Sequence, residues 1–172
     1  MIELERTFLA KIIPTGLENC KHKEVMDVYL PKEAEHPVLR LRKNGDSYEM
    51  TKKEPVSGTD SSKLTEHTIP LTKQEFDALR KIKGKEVRKI RYYYEYEGRT
   101  AEVDVFQDKL KGLVLIDFEF SMEEEKEHFK MPDFCLTEVT QEELFAGGML
   151  CGKKYKDIKQ ALSGLKYKKI IF

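Results

Sequence analysis

Polar and apolar residues alternate along most of the chain, which predicts β-strands because successive side chains of a strand point to opposite faces. In the segment VLRLR, for example, Arg40 and Arg42 alternate with leucines. The pattern predicts eight strands, over residues 2–12, 24–30, 37–42, 47–53, 63–69, 87–96, 100–106 and 113–120. Asn44-Gly45-Asp46 and Gly98 lie between two pairs of these strands and are typical of hairpin turns.

Three segments begin with Ser or Thr followed three residues later by Glu, a pattern typical of the capped start of a helix. These are Thr72 with Glu75, Ser121 with Glu124, and Thr140 with Glu143. We expect Gly147 and Gly148 to end the third helix. Residues 155–165 predict a fourth, amphipathic helix.

The connections between most of the strands are short, which favours antiparallel neighbours. Eight such strands can form a sandwich, an open sheet or a closed barrel. No linker divides the chain, so we predict a single α+β domain over residues 1–172.

Composition narrows the function classes. The 31 acidic and 31 basic residues give a formal net charge of zero, which argues against a general nucleic-acid or membrane binder. Three cysteines without a CxxC pair argue against a disulfide framework or a structural zinc site. The chain has no signal-peptide pattern and no apolar run of the ~20 residues that a membrane span needs. We therefore expect a cytoplasmic protein, as a monomer or homodimer.

The position of the charges within the strands is the most informative feature. In five strands, two residues of like charge share one face of the strand, and apolar residues lie on the other face. A sixth strand has the same arrangement with Thr and Lys on the shared face. The basic set is Arg40, Arg42, Lys53, Lys89 and Arg91. The acidic set is Glu3, Glu5, Glu102, Asp104, Asp117 and Glu119.

Like charges two residues apart repel, so a repeated pattern of this kind indicates a ligand that relieves the repulsion. If both sets line one concave space, the ligand is a polyanion accompanied by cations. A phosphate chain with Mg²⁺ or Mn²⁺ fits, because carboxylates bind hard cations and Arg and Lys bind phosphate oxygens. The alternative is an ordinary sheet whose charged faces meet water.

Glu3-Leu4-Glu5-Arg6 resembles the E-x-E-x-K signature of the triphosphate tunnel metalloenzymes, the CYTH superfamily. The segments LRLRKNGDSYEMTKK, LTEHTIPLTKQEFDAL and RKIRYYYEYEGRTAEVDVFQDKLKGLVLIDFEF resemble the family's later strands in the same order. The resemblance implies an eight-stranded antiparallel closed β-barrel, or tunnel, with helices packed outside. Its members hydrolyse inorganic triphosphate, thiamine triphosphate or RNA 5′-triphosphate, or cyclise ATP.

The resemblance also implies roles for individual residues. The metal ligands would be Glu3, Glu5, Asp104, Asp117 and Glu119. The catalytic residues would be Glu5, Asp104 and Glu119, with Glu102 supporting Asp104. The substrate-binding residues would be Arg40, Arg42, Lys53, Glu66, Lys89 and Arg91.

The chain departs from the family pattern at two positions. Thr7 stands where the signature has Lys, and Thr68 stands where the second acid of a later pair often falls. The two charge sets make metal-dependent hydrolysis of a small-molecule triphosphate the leading hypothesis. Cyclisation of ATP is one alternative, and the two departures motivate another, a non-catalytic module that binds polyphosphate or nucleotide.

Overall fold

A computed structural model describes residues 1–172. The nine strands are β1 (Ile2–Ala10), β2 (His22–Leu30), β3 (Leu39–Asn44), β4 (Ser47–Pro55), β5 (Lys63–Leu71), β6 (Lys85–Tyr96), β7 (Arg99–Phe106), β8 (Val114–Phe120) and β9 (Cys135–Glu138). The four α-helices are α1 (Lys73–Leu79), α2 (Glu123–His128), α3 (Gly147–Leu150) and α4 (Tyr155–Gly164). None of these helices combines the length and the apolar composition that crossing a membrane requires.

Eight of the strands close into an antiparallel barrel, which confirms the predicted fold. Their order is β5-β4-β3-β2-β6-β7-β8-β1, and β1 pairs back onto β5 through Ile2–Leu4. Beyond that short pairing, the same edge of β1 takes β9 as its partner, from Phe8 to Ala10. The four-residue strand β9 is an addition that the alternation pattern did not predict.

The predicted helix starts have different outcomes. Thr72 and Glu75 form the predicted capping box before α1. Ser121 does not cap α2, because the helix begins at Glu123 and Ser121 instead donates its amide hydrogen to the Glu125 carboxylate.

The prediction of a helix running from Thr140 to Gly147 is wrong. A single 3₁₀ turn covers Glu143–Phe145, and Gly147 and Gly148 then begin α3. A Cβ atom on Gly147 would overlap the Tyr29 hydroxyl, and one on Gly148 would overlap the Pro37 carbonyl oxygen. These glycines therefore allow a close approach to the barrel and do not end a helix.

The outer face of the barrel is covered by two apolar layers. One layer packs Phe8, Ile116 and Phe118 with Leu17 and Phe134 from the connecting segments. The other packs Val28, Leu41 and neighbouring residues beneath Phe76 of α1. The apolar face of each strand is therefore directed outward, and the opposite face lines the barrel interior.

One end of the interior is also apolar. Leu9, Val87, Phe106 and Leu115 point inward there and belong to one buried cluster. The cluster is completed from outside by Phe145, Leu150, Ile158 and Leu162. The segment after β9, together with α4, thus fills this end of the barrel.

Candidate active site

The barrel interior holds a cavity of about 420 Å³, which is lined by the charged residues and, at one end, by apolar residues such as Phe106 and Leu115. Every residue that the sequence predicted for the metal, catalytic and substrate-binding sets lines this cavity, and so does Thr7. Strand alternation accounts for this, because residues two apart on each strand share the inward face.

The strand register brings the acids together on one wall. Glu5 lies directly opposite Glu119 across β1 and β8, and Thr7 lies opposite Asp117. On the other side of β8, Asp117 lies opposite Glu102 of β7. Side chains in such cross-strand positions are close neighbours, so these carboxylates form one acidic wall.

Asp104 is fully engaged by two cations of β6. Its Oδ1 accepts a hydrogen bond from Arg91 Nε at 2.7 Å, and its Oδ2 accepts one from Arg91 Nη2 at 2.7 Å and contacts the Lys89 ammonium. Arg91 also contacts Glu102. Burial by itself raises the pKa of Asp104, but the charges of Arg91 and Lys89 outweigh it and lower the pKa to about 2.

Lys53 joins acids from two strands. Its Nζ contacts Glu3 and lies 3.2 Å from Glu66 Oε2 and 3.8 Å from Glu5 Oε2. Burial acts to lower the pKa of Lys53, yet the neighbouring carboxylates raise it, so the ammonium stays charged. Thr68 donates its hydroxyl hydrogen to Glu66 Oε1 at 2.8 Å and thereby supports the same group.

Asp27 is a cavity residue that sequence reasoning missed. Its carboxylate accepts two parallel hydrogen bonds from Arg42, at 2.7 Å from Nε and 2.8 Å from Nη2. Both side chains are buried. Asp27 is the only acid on its strand's inward face, so no repeated pair of charges marked it in the sequence.

Arg40 differs from the other cavity cations, because it forms no ion pair. Its Nε is buried and has no hydrogen-bond partner, whereas Arg42, Lys53, Lys89 and Arg91 all contact carboxylates. A buried donor without a partner is costly. Arg40 is therefore the cavity cation most available to an anionic ligand.

Three acids of the wall are held in surroundings that disfavour their charge. Burial raises the pKa of Glu5 to about 7, with further contributions from Glu3 and Asp117. Burial, and then Asp104, raise the pKa of Asp117. Partial desolvation at the cavity mouth, together with Glu102 and Glu3, raises the pKa of Glu119. A cation bound among these acids would relieve their repulsion.

The donor set fits a hard divalent cation, since carboxylate oxygens are the ligands that Mg²⁺ and Mn²⁺ favour. The opposed positions of Glu5 and Glu119 supply such oxygens from two neighbouring strands. No three acids converge on one point in the side-chain conformation described. Lys53 and Arg91 instead occupy several of the carboxylate oxygens.

The comparisons with known proteins agree with this geometry. The CYTH domain family model matches residues 1–134. An inorganic triphosphatase from Nitrosomonas europaea is 32% identical over 165 residues, which cover 95% of this chain and 99% of that protein. A crystal structure of an inorganic triphosphatase matches with a TM-score of 0.63 at 28% identity, covering 88% of this chain and 95% of that chain.

A more distant structure, a putative adenylate cyclase from Bacillus halodurans, matches with a TM-score of 0.53 at 18% identity. It covers 99% of this chain and 92% of that chain, and at this identity it supports the fold alone. The match to the family model spans all eight barrel strands, and the relative from Nitrosomonas europaea is similar along nearly its whole length. The chain therefore belongs to the CYTH domain family.

Proposed function

We propose that this chain is a divalent-metal-dependent hydrolase of a triphosphate, and that inorganic tripolyphosphate is its substrate. The observation that carries the proposal is the Arg40 guanidinium, which forms no ion pair, in the same cavity as the acidic wall. Such a cavity offers an anion-binding group and metal-binding groups side by side. The similarity to proteins named inorganic triphosphatase supports the choice of substrate.

Arg40 binds the phosphate chain first in this proposal, because its guanidinium forms no ion pair that binding would break and its buried Nε has no hydrogen-bond partner. Lys53 has three N–H donors and bridges Glu3 and Glu66, so it reaches a phosphate oxygen by reorienting its ammonium. Lys89 and Arg91 are held in place by Asp104. They contribute fixed positive charge as negative charge develops on the phosphate oxygens.

Glu3, Glu5, Asp117 and Glu119 would hold the divalent cation. When bound, it would supply Lewis-acid stabilisation of charge on the phosphate oxygens. Mg²⁺ and Mn²⁺ both suit an all-oxygen donor set. Asp104 has both oxygens taken by Arg91 and Lys89, so we assign it the positioning of those two cations in addition to its proposed catalytic role.

Hydrolysis also requires a water molecule held beside the terminal phosphorus. Glu5 and Glu119 face the cavity from adjacent strands, and carboxylate oxygens accept hydrogen bonds from water. We propose that these two residues orient the water for in-line attack. As the water oxygen bonds to the terminal phosphorus, the phosphoanhydride P–O bond to the rest of the chain breaks, and phosphate and pyrophosphate are released. The proton that the water loses passes to a carboxylate oxygen of the same wall.

The test is phosphate release from tripolyphosphate in the presence of Mg²⁺ or Mn²⁺. We expect Glu5→Gln to lower kcat on the order of 100-fold or more, because it removes a charged oxygen from the acidic wall. The matched control is Glu127→Gln, an exposed acid outside the cavity, which should keep wild-type activity. Folded wild-type protein that releases no phosphate with either metal across neutral and alkaline pH would overturn the hydrolase proposal.

Two further measurements separate the alternatives. Calorimetric binding of tripolyphosphate without turnover would identify a binding module instead of a hydrolase. Formation of cyclic AMP from ATP would identify a cyclase.

A further inference from the structure

Thr7 occupies an unusual place on β1. It lies where the edge of the strand changes partner, after the pairing of Leu4 with β5 and before the pairing of Phe8 with β9. Its amide donates to Thr140 Oγ1 at 3.0 Å, and its carbonyl oxygen accepts from the Val139 amide at 2.8 Å. The backbone of Thr7 is therefore fixed although it pairs with neither strand on that side.

The Thr7 side chain points into the cavity and contacts the acidic wall. Its hydroxyl donates a hydrogen bond to Asp117 Oδ1 at 2.7 Å. Thr7 is the one hydrogen-bond donor to this carboxylate, since the nearest cation, Arg91 Nη2, lies 3.6 Å from Asp117 Oδ2. The two oxygens of Asp117 thus face different groups.

This arrangement fixes the direction of the carboxylate. Without the hydroxyl, Oδ1 would be a desolvated oxygen with no donor, and the carboxylate would gain energy by turning both oxygens towards Arg91. Thr7 opposes that rotation from directly across the strand pair. The next inward-facing position of the same strand pair, two residues away, holds Glu5 and Glu119.

We propose that Thr7 is a positioning residue, whose hydroxyl keeps the Asp117 carboxylate from turning both oxygens onto Arg91 and so keeps it available, with Glu5 and Glu119, as a ligand of a divalent cation. The inference rests on the proposed function only for the presence of that cation. The hydroxyl of Thr7 makes no contact with substrate in this role. It acts as a hydrogen-bonding partner of a metal ligand, a class of residue whose loss weakens metal affinity.

The test measures Mn²⁺ affinity by calorimetry on the full chain without substrate. Thr7→Val keeps the shape of the side chain and removes the donor, and we expect a loss of affinity of roughly 10-fold or more. Thr7→Ser restores the donor and should bind within about 2-fold of wild type, since the hydrogen bond is kept. The matched control is Thr100→Val, which removes a hydroxyl that donates to Glu95 at 2.7 Å on an exposed hairpin.

A double-mutant cycle with Asp117→Asn tests whether Thr7 acts through Asp117. We expect Thr7→Val to weaken Mn²⁺ binding in the wild-type background and to add little to Asp117→Asn. Equal effects of Thr7→Val in both backgrounds would overturn the positioning role. Thr7→Ala provides the same comparison if Thr7→Val does not fold.

The outcomes distinguish this inference from the proposed function. If wild type hydrolyses tripolyphosphate and the folded Thr7→Val variant binds Mn²⁺ as tightly as wild type, only the role of Thr7 is overturned. Wild type that binds Mn²⁺ and releases no phosphate overturns the hydrolase, while a weakened Thr7→Val still supports positioning. Wild type that binds no Mn²⁺ overturns both.

Discussion

The inward face of the barrel has two regions that follow the same alternation but differ in chemistry. On β1, Glu3 and Glu5 line the cavity and Leu9 lies in the apolar end. On β8, Leu115 belongs to the apolar end and Asp117 to the acidic wall. The apolar end is covered by α4 and the segment before it, whereas the charged region faces cations and the cavity. Alternation thus determines which face of the strand a residue lies on. The segments packed against that part of the barrel determine whether apolar or charged side chains are stable there.

The largest effect should come from making a void in the apolar end. Phe106 is 3% exposed, and Phe106→Ala should lower the free energy of unfolding by about 3–5 kcal/mol, as measured by urea denaturation. Phe172 is 43% exposed, so Phe172→Ala should cost less than about 1 kcal/mol. Equal costs for the two variants would mean that this end is not part of the core.

In the charged region, the second largest effect should come from separating a buried ion pair. Asp27→Asn leaves the buried Arg42 charge without its partner and should cost about 3 kcal/mol in the same assay. The exposed pair between Lys52 and Glu54, at 3.0 Å, supplies the control. Glu54→Gln should cost less than about 1 kcal/mol, and a similar cost for Asp27→Asn would show that water compensates the charge inside the cavity.

Arg40 should respond in the opposite way, because it has no ion pair to lose. Arg40→Gln should leave the free energy of unfolding within about 0.5 kcal/mol of wild type and raise KM for tripolyphosphate about 10-fold, or ~1.4 kcal/mol. Arg80→Gln, at an exposed arginine near Glu86, is the control and should change neither quantity. A large loss of stability in Arg40→Gln would show that Arg40 serves the fold instead of the ligand.

The smallest effect is the pH dependence of the charged region. Burial opposes ionisation of Asp27, but Arg42 outweighs it and lowers the pKa of Asp27 below its usual range. The resulting stability is present above the unfolded pKa of about 3.9 and is lost as the pH falls towards the folded value. Between pH 5 and pH 3, wild type should therefore lose about 1 kcal/mol more than Asp27→Asn. Parallel pH profiles from urea denaturation would contradict this assignment.

Much of the fold and cavity could be predicted because both depend on local alternation. Two charged residues separated by one apolar residue, such as Arg40 and Arg42 or Asp117 and Glu119, show within three residues which face of a strand is charged. Once the barrel closes, all such faces meet in one space. The capping box at Thr72 is equally local and was predicted correctly.

The remaining features depend on contacts between distant segments. Two consecutive glycines such as Gly147 and Gly148 are typical of a helix end. Their close approach to Tyr29 and Pro37, which only the structure shows, explains why glycine is needed at both positions. The hydroxyl of Thr140 bonds to Glu138 instead of capping a helix. Alternation likewise could not show that Arg42 forms an ion pair and Arg40 does not, because the difference lies in a single acid on the next strand.

The barrel is closed by a short seam, where only Ile2–Leu4 of β1 pair with β5. On the inside, Lys53 spans this seam by contacting Glu3 on β1 and Glu66 on β5. The same ammonium is among the proposed phosphate-binding groups, so we expect a ligand that draws it away from Glu3 and Glu66 to weaken the closure of the barrel. The backbone amides of Glu5 and Glu66 donate hydrogen bonds across this seam. Their rates of hydrogen exchange, measured with and without ligand in the cavity, therefore report how often the seam opens.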